Sequence, residues 1–185
     1  MKTISYSQPE FYHFSEDSIE LAKFASQFWA KEKKLHLVDM FAGCGVVGIE
    51  FFFRHQDTVQ LTFIEAEEQY LSHLEENTQS ARINMISHFS IEDISTIETV
   101  PEDAYIIANP PYFSINTGRE PSDIKRRRAN FIRIENWRRW LDLVANHQVL
   151  FLGREDSNLI SCDCRIKKLK SLNNKTGIFT LDRNS

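Results

Sequence analysis

The stretch LVDMFAGCGVVG, residues 37–48, decides the fold of this chain. An apolar step leads into Asp39, and Gly43, Gly45 and Gly48 follow at the start of a second apolar run. This order is typical of a strand, a glycine-rich turn and a helix. Glycines let the backbone approach a ligand closely, and the first N–H groups of the helix face whatever is bound. The stretch therefore predicts a binding turn for a nucleotide-like cofactor.

A second predicted strand, residues 59–64, ends at Glu65, which lies twenty residues beyond Gly45. An acid at this distance from a Gly-x-Gly-x-x-Gly turn completes the dinucleotide pattern. A carboxylate at the carboxyl end of such a strand can accept hydrogen bonds from both hydroxyls of a ribose. We therefore predict that Glu65 is a ribose ligand. The alternative is an acid that complements a helix N-terminus, since Glu67 and Glu68 follow.

The sharpest signal is Asn109-Pro110-Pro111-Tyr112, which follows the apolar segment 104–108. Two prolines fix φ twice and remove two backbone donors, so the chain leaves a buried strand on a rigid course. Such a segment can hold an amide and an aromatic ring in register. If the Asn109 oxygen and the Pro110 carbonyl each accept one N–H of a conjugated amine, the lone pair of its nitrogen is freed for methylation. Tyr112 could then stack on the acceptor.

Together these motifs resemble the class I S-adenosylmethionine-dependent methyltransferases. The pattern from Asp39 to Gly45 resembles their motif I. The tetrapeptide 109–112 resembles motif IV of the enzymes that methylate adenine N6, guanine N2 or the glutamine side-chain amide. With the segment 14–18 and the basic segment after the tetrapeptide, the chain looks most like the bacterial tRNA(Val) adenine-N6 methyltransferases.

The resemblance implies S-adenosyl-L-methionine as the cofactor and assigns roles to individual residues. It implies that Asp93 accepts a hydrogen bond from the adenine amine and that Ile94 lies beside the adenine ring. The residues implied to act on the acceptor are Asn109, Pro110 and Tyr112. The residues implied to contact the cofactor are Asp39, Phe41, Ala42, Gly43, Gly45, Glu65, Ala66, Asp93, Ile94 and Asn109.

The formal net charge of −4 argues against a protein that coats nucleic acid indiscriminately. Seven cations nevertheless lie between residues 125 and 139. Residues 113–130 have no periodicity, and so long a connection is often functional. We predict a substrate-side loop there, with tRNA as the favoured partner. A solvated loop is the alternative. The predicted substrate-binding residues are Pro111, Phe113, Lys125, Arg126, Arg127 and Arg128.

The remaining pattern predicts one α/β domain over residues 1–185, with residues 1–14 as an irregular arm. A first helix from Asp17 to Ala30 opens on Asp17-x-x-Glu20, which suits a capping box. The predicted sheet is doubly wound, seven-stranded and mostly parallel. A C-terminal hairpin supplies its antiparallel strand.

Composition excludes several classes of protein. The chain has no run of 18 apolar residues, and its first 14 residues lack the apolar core of a signal peptide, so we expect a cytoplasmic protein without a membrane span. Cys44, Cys162 and Cys164 are an odd number and lack a zinc-site pattern. We therefore expect reduced thiols and no metal.

Three other functions stay open at this stage. The acceptor could be a protein glutamine N5, a DNA adenine or rRNA. The fold could also be catalytically silent and serve as an RNA-binding or partner subunit, and whether a partner subunit is needed is open. An NAD-dependent oxidoreductase would explain the glycine turn but would leave Asn109 to Tyr112 without a role.

Overall fold

The computed structural model describes residues 5–55, 57–83, 89–90, 94, 96–114 and 131–182. Within these ranges the α-helices are α1 (Glu16–Phe28), α2 (Val46–Arg54), α3 (Leu71–Ser80), α4 (Ile134–Leu143) and α5 (Asn158–Ser161), and a 3₁₀ turn spans Glu68–Tyr70. The strands are β1 (Leu35–Met40), β2 (Thr58–Ile64), β3 (Phe89–Ser90), β4 (Ala104–Ala108), β5 (Phe113–Ser114), β6 (Phe131–Ile132), β7 (Gln148–Arg154), β8 (Ile166–Ser171) and β9 (Thr176–Leu181).

The main sheet has seven strands in the order β3-β2-β1-β4-β7-β9-β8. Strands β3, β2, β1, β4 and β7 are parallel, whereas β9 is antiparallel to both of its neighbours. The prediction of a seven-stranded, mostly parallel sheet with an antiparallel C-terminal hairpin is therefore confirmed. The hairpin follows from the short polar connection at residues 172–175, which separates two β-prone runs.

The sheet is covered on both faces, which is why β1 is buried along its whole length. Leu35 and Leu37 belong to one apolar cluster, which includes residues of α1, α2 and α3. Val38 and Met40 point the other way, into a cluster that includes residues of α4. Alternate residues of one strand thus supply two separate cores. Each face fixes the position of the strand end that lies between them.

Helix α1 begins differently from the prediction. Its N-cap is Ser15, whose side chain makes no capping hydrogen bond. Asp17 therefore lies inside the first turn, and the predicted capping box is wrong. Glu16 and Asp17 instead place two acids near the helix N-terminus, where negative charge is stabilising.

Helix α4 packs two tryptophans into the core. Trp137 and Trp140 are at most 1% exposed, and their rings lie 4.9 Å apart. The Trp137 indole N–H donates to the carbonyl of Leu159 at 2.8 Å, so its one polar atom is satisfied. Truncation of a buried tryptophan to alanine typically costs about 3–5 kcal/mol of stability. Helix α4 is therefore firmly held against the sheet.

The segment after the Asn-Pro-Pro-Tyr tetrapeptide is not irregular at its ends. Phe113–Ser114 pairs in parallel with Phe131–Ile132 as a separate two-stranded sheet. The predicted loop thus begins and ends on paired strands. The rest of it, with Lys125, Arg126, Arg127 and Arg128, lies outside the described residues.

Among the described strands, β8 pairs only with β9 and so forms the far edge of the main sheet. Lys167, Lys168 and Lys170 of this strand are exposed. Lys168 forms an ion pair with Glu155 at 2.9 Å, and Lys170 one with Glu20 at 3.5 Å. These pairs lie at the surface, where water and salt screen the charges, so they add little to stability.

Among the described helices, none is both long enough and apolar enough to cross a membrane. In the same part of the chain, no group of three or more histidine, cysteine or acidic residues is arranged to hold a metal ion. The three cysteines are free thiols; Cys44 is buried and Cys164 is exposed.

Candidate active site

The register of the parallel strands brings three predicted residues to one edge of the sheet. Met40 at the end of β1 is level with Ile64 of β2 and with Ala108 of β4. The next residue after each strand is Phe41, Glu65 or Asn109. In an open α/β sheet, ligands bind beyond the carboxyl ends of the strands.

A cavity of about 650 Å³ lies at this edge. Its size falls within the range of about 300–1,000 Å³ that is usual for cofactor and ligand sites. Its walls come from the N-terminal arm, the glycine turn, the end of β2, the end of β4 and the start of α4. The residues that form them are Gln8, Tyr12, Phe14, Ser18, Phe41, Ala42, Gly43, Cys44, Val46, Val47, Glu65, Ala66, Glu67, Tyr70, Ile94, Asn109, Pro111, Phe131, Ile132, Arg133 and Asn136.

The two turn glycines have different tasks. Both are in the left-handed region, with φ of +53° at Gly43 and +79° at Gly45. A Cβ on Gly43 would meet no atom within 4 Å, so this residue faces open space in the cavity. A Cβ on Gly45 would lie 2.4 Å from the side chain of Leu74. Gly43 thus leaves room for a ligand, whereas Gly45 lets α3 pack closely behind the turn.

Phe41 holds an unusual backbone conformation for a bulky residue, with φ of +58°. Such a conformation costs on the order of 1–3 kcal/mol and persists only where packing enforces it. The Phe41 ring packs edge-on against Trp140, with the ring centroids 5.7 Å apart. Packing against the apolar cluster of α4 therefore stabilises the strained backbone at Phe41. This backbone conformation directs the glycine turn along the cavity wall.

Glu65 joins the ends of β1 and β2. Its Oε2 accepts the backbone N–H of Gly43 at 2.7 Å, and its Oε1 accepts those of Ala66 and Glu67, each at 2.9 Å. Burial raises the pKa of this carboxyl, and the three N–H donors act against that rise. A carboxylate so held lines the cavity in a fixed orientation. Its predicted contact with a ribose stays a prediction.

Asp39 lies beneath the cavity lining and is completely buried. Its Oδ2 accepts the N–H of Gly48 at 2.8 Å, which ties β1 to the first turn of α2. Its Oδ1 is buried without a hydrogen-bond partner among the described residues. Burial raises the pKa of this carboxyl well above its usual value. In this structure Asp39 therefore positions the glycine turn from below, although we predicted it as a cofactor contact.

The tetrapeptide divides between the cavity and the core. Asn109 and Pro111 line the cavity, whereas Pro110 is buried. The Asn109 Nδ2 donates to the hydroxyl of Ser18 at 3.2 Å, and its Oδ1 accepts the hydroxyl of Tyr112 at 2.9 Å. The amide is thus held from both ends. The Tyr112 ring packs beside the first apolar cluster, and burial is the main cause of the raised pKa of its phenol.

The N-terminal arm supplies part of the site that we did not predict. Gln8, Tyr12 and Phe14 line the cavity. The Tyr12 ring meets Tyr70 edge-on at 5.9 Å. Burial raises the pKa of the Tyr12 phenol, and a side-chain hydrogen bond with Asn109 acts in the opposite direction. The arm therefore reaches the amide that the tetrapeptide presents.

The arm is anchored by one buried side chain. Asn77 of α3 accepts the N–H of Ser7 at 2.7 Å and donates to the Ser7 carbonyl at 2.9 Å. It also donates to the carbonyl of Cys44 at 2.9 Å, so it links the arm to the glycine turn. The available signal in the sequence was the density of aromatic residues, four between positions 6 and 14. It lacked a period, so it named no element.

The remaining wall comes from the region of α4. Ile94 lines the cavity, as expected for a residue beside a cofactor ring, while Asp93 lies outside the described residues. Arg139 donates to the carbonyls of Ile94 and Ile97 at 3.2 and 3.1 Å. Arg139, one of the seven cations between residues 125 and 139, thus binds backbone carbonyls of this protein. Arg133, which is exposed, lines the cavity.

Comparison with solved structures shows the fold. A candidate RNA methyltransferase from Pyrococcus horikoshii superposes with a TM-score of 0.62 at 13% identity, over 97% of this chain and 93% of that chain. YhhF from Escherichia coli, a candidate methyltransferase, gives 0.59 at 12% identity, over 96% and 92%. A Pyrococcus abyssi tRNA (uracil-54, C5)-methyltransferase in complex with S-adenosyl-L-homocysteine gives 0.53 at 13% identity, over 89% of this chain and 37% of that one.

Comparison with family models shows the family. No curated protein matches the chain in sequence. Residues 16–128, more than half of the chain, match the model described as "Conserved hypothetical protein 95". The predicted resemblance to class I S-adenosylmethionine-dependent methyltransferases is confirmed at the level of fold and family, whereas the tRNA(Val) assignment stays a prediction. The chain belongs to the family "Conserved hypothetical protein 95" and has the fold of the S-adenosylmethionine-dependent methyltransferases.

Proposed function

We propose that this protein is an S-adenosylmethionine-dependent N-methyltransferase that acts on an exocyclic amine of a nucleic-acid base. The favoured acceptor is adenine N6 in tRNA. The observation that carries the proposal is the position of Asn109, which lines the same cavity as Gly43 and Glu65. Asn109 directly follows β4, whose end is in register with the ends of β1 and β2.

The cavity suits the proposed cofactor on the side of the glycine turn. Gly43 faces open space where a side chain would take up room, and the Glu65 carboxylate is fixed beside it. When bound, S-adenosylmethionine supplies an electrophilic methyl group. Gly43 and Ala42 would leave space for its methionine part, Glu65 would accept from its ribose, and Ile94 would lie against its adenine.

Asn109 is prepared to accept a hydrogen bond from the acceptor amine. A carboxamide oxygen has two lone pairs, and the Tyr112 hydroxyl occupies one direction on Oδ1. Among the described residues only the Tyr112 hydroxyl donates to Oδ1, so the second lone pair could accept an N–H of the acceptor. With the Pro110 carbonyl as the other acceptor, the amine would be turned so that its lone pair faces the methyl group. Such positioning supplies most of the acceleration in a displacement of this kind.

A nucleic-acid acceptor is supported by two observations. The relative from Pyrococcus horikoshii is described as a candidate RNA methyltransferase. The acceptor side of the cavity also combines the aromatic ring of Phe131 with the exposed cation Arg133. Aromatic faces and cations together are typical of sites for unpaired nucleotides.

The role of Asn109 is tested by Asn109→Ala. We expect turnover to fall by about 10²–10³-fold, as when one oriented partner of a transition state is lost. Affinity for S-adenosylmethionine, measured by calorimetry, should change little. The matched control is Asn146→Ala at an exposed position after α4, which should leave both quantities unchanged. Unaltered turnover of Asn109→Ala on the true acceptor would show that the assigned role is wrong.

The acceptor itself is identified with methyl-labelled cofactor. The protein is incubated with separated tRNA, rRNA, DNA and protein fractions, and the modified group is determined by mass spectrometry. We expect label in an exocyclic amine of tRNA. Label in protein glutamine would instead place the acceptor in another class, and lack of cofactor binding would favour a catalytically silent subunit. Affinity for tRNA should also fall steeply with salt.

A further inference from the structure

The two-stranded sheet beside the cavity presents a pair of aromatic rings. Phe113 is opposite Phe131 in the parallel pairing of β5 and β6. Their ring centroids lie 5.4 Å apart at an interplanar angle of 34°. Phe131 lines the cavity, and Phe113 is 38% exposed although it is a large apolar side chain. We call this pair of rings the aromatic shelf.

The shelf is held in place from the side of α5. The buried Ser114 exchanges hydrogen bonds with the side chain of Asn158 at 3.1 and 3.3 Å. The hydroxyl of Ser157 donates to the carbonyl of Tyr112 at 3.0 Å. The backbone on both sides of Phe113 is therefore fixed relative to the tetrapeptide that presents Asn109. A rigid aromatic face at a fixed distance from the Asn109 side chain can select the chemical group that lies next to the acceptor amine.

Two arginine side chains lie beside the shelf. The Arg154 guanidinium carbon lies 5.2 Å from the centroid of the Phe113 ring, within the range of a cation–π contact. Its orientation is set by Asp156, which accepts from Nε at 2.9 Å and from a terminal nitrogen at 2.6 Å. Arg133 follows β6 directly and is exposed at the cavity wall. Flat rings flanked by cations match the chemistry of a base with its phosphate.

We propose that the aromatic shelf stacks the nucleotide adjacent to the methylated base and that Arg133 contacts the phosphate between the two. This inference rests on the proposed function and deepens it. The acceptor would be an unpaired segment of RNA at least two nucleotides long, because a neighbouring base that stays stacked in a duplex has no free face for the shelf. An isolated base or a glutamine side chain would leave the shelf without a contact.

The shelf is tested with the variant Phe131→Ala. The probe is a short single-stranded RNA oligonucleotide that contains adenine and guanine. Binding is measured by fluorescence anisotropy, which needs no turnover. Loss of one stacking contact should weaken binding by about 5- to 150-fold. Phe131→Trp should restore it, because an indole also stacks, whereas a purely structural role would not be rescued. The matched control, Phe53→Ala, removes an exposed ring of α2 and should change nothing.

Arg133 is tested by the salt dependence of the same binding. Arg133→Gln should lower the slope of log affinity against log salt by about one, as for one lost phosphate contact. Arg138→Gln, at an exposed position of α4 outside the cavity wall, should leave the slope unchanged. Equal slopes for the wild type and Arg133→Gln would overturn this part of the proposal.

Failure of the shelf and failure of the proposed function give different results. If the wild type methylates RNA and binds the probe but Phe131→Ala binds equally well, the shelf is wrong and the enzyme assignment stands. If the wild type methylates no nucleic-acid fraction, the proposed function fails, and the shelf fails with it. Equal losses for free adenosine and for the probe would also overturn the shelf, since a single nucleoside cannot reach it.

Discussion

The two halves of the cavity are built in different ways. The half proposed to hold the cofactor, which we call the cofactor half, consists of backbone at the ends of neighbouring parallel strands, tied by the Gly43–Glu65 and Gly48–Asp39 hydrogen bonds. The half proposed to hold the acceptor, which we call the acceptor half, consists of side chains from segments far apart in the sequence, among them Tyr12, Asn109 and Phe131. The first half is determined by strand order, and the second by tertiary packing. Substitutions should therefore act on the two halves through different quantities.

The largest effects are expected within the cofactor half, from Gly43→Ala and Gly45→Ala. A methyl group on Gly45 would clash with Leu74 at a left-handed φ, so the free energy of unfolding should fall by about 2–4 kcal/mol. A methyl group on Gly43 meets no atom, so its backbone conformation should cost only about 1–2 kcal/mol. Because that methyl group enters the cavity, cofactor affinity should fall by about tenfold or more.

Urea unfolding and calorimetry with S-adenosylmethionine measure the two quantities separately. Unchanged cofactor affinity of Gly43→Ala would mean that the open face of the turn is not the cofactor side. The cofactor would then bind elsewhere in the cavity, and the boundary between the two halves would shift.

An intermediate effect is expected for Glu65→Gln. The carboxylate accepts three backbone N–H bonds through two oxygens, whereas an amide offers one oxygen. A charged acceptor is worth about 1 kcal/mol more than a neutral one, so cofactor affinity should fall by about fivefold. Glu68→Gln, at an exposed position of the same turn, is the control. Equal affinities for Glu65→Gln and the wild type, measured by calorimetry, would remove Glu65 from the ribose site.

The smallest effect is expected for Asp39→Asn, and it depends on pH. An amide keeps an acceptor for the Gly48 N–H without a buried charge. Burial raises the pKa of Asp39 in the folded protein. The wild type therefore loses stability as the pH rises above the pKa of this carboxyl in the unfolded chain, which is about 4. The melting temperature of Asp39→Asn should therefore match the wild type near pH 4 and exceed it by a few degrees at pH 7. A constant difference across this range would contradict the assignment.

The sequence was sufficient to predict which residues meet on the glycine-turn side of the cavity, and their contact with a cofactor stays a prediction. A strand end, a glycine turn and an acid after the next strand have local signatures, and parallel strands align their carboxyl ends without further information. Seven of the ten predicted cofactor residues line the cavity: Phe41, Ala42, Gly43, Glu65, Ala66, Ile94 and Asn109. Gly45 and Asp39 lie behind the turn instead. Gly45 packs closely against Leu74, and Asp39 is completely buried.

The acceptor half could not be predicted to the same extent. The contact between Ser7 and Asn77 joins residues 70 positions apart, and no local pattern in the arm indicates it. The pairing of Phe113 with Phe131 spans a long connection between two short strands, which leave no periodic signal. Sequence density places Arg139 in a cluster of cations, whereas its hydrogen bonds to the carbonyls of Ile94 and Ile97 follow from the helix face on which it lies.

The lysines of β8 have a consequence for the behaviour of the protein in concentrated solution. An outermost strand with open N–H and C=O groups is a template for self-association, since a second copy could extend the sheet. Joining two such strands side by side would force Lys167, Lys168 and Lys170 of one copy against those of the other and would strip water from their ammonium groups. The basic residues on this strand thus act as gatekeepers against aggregation.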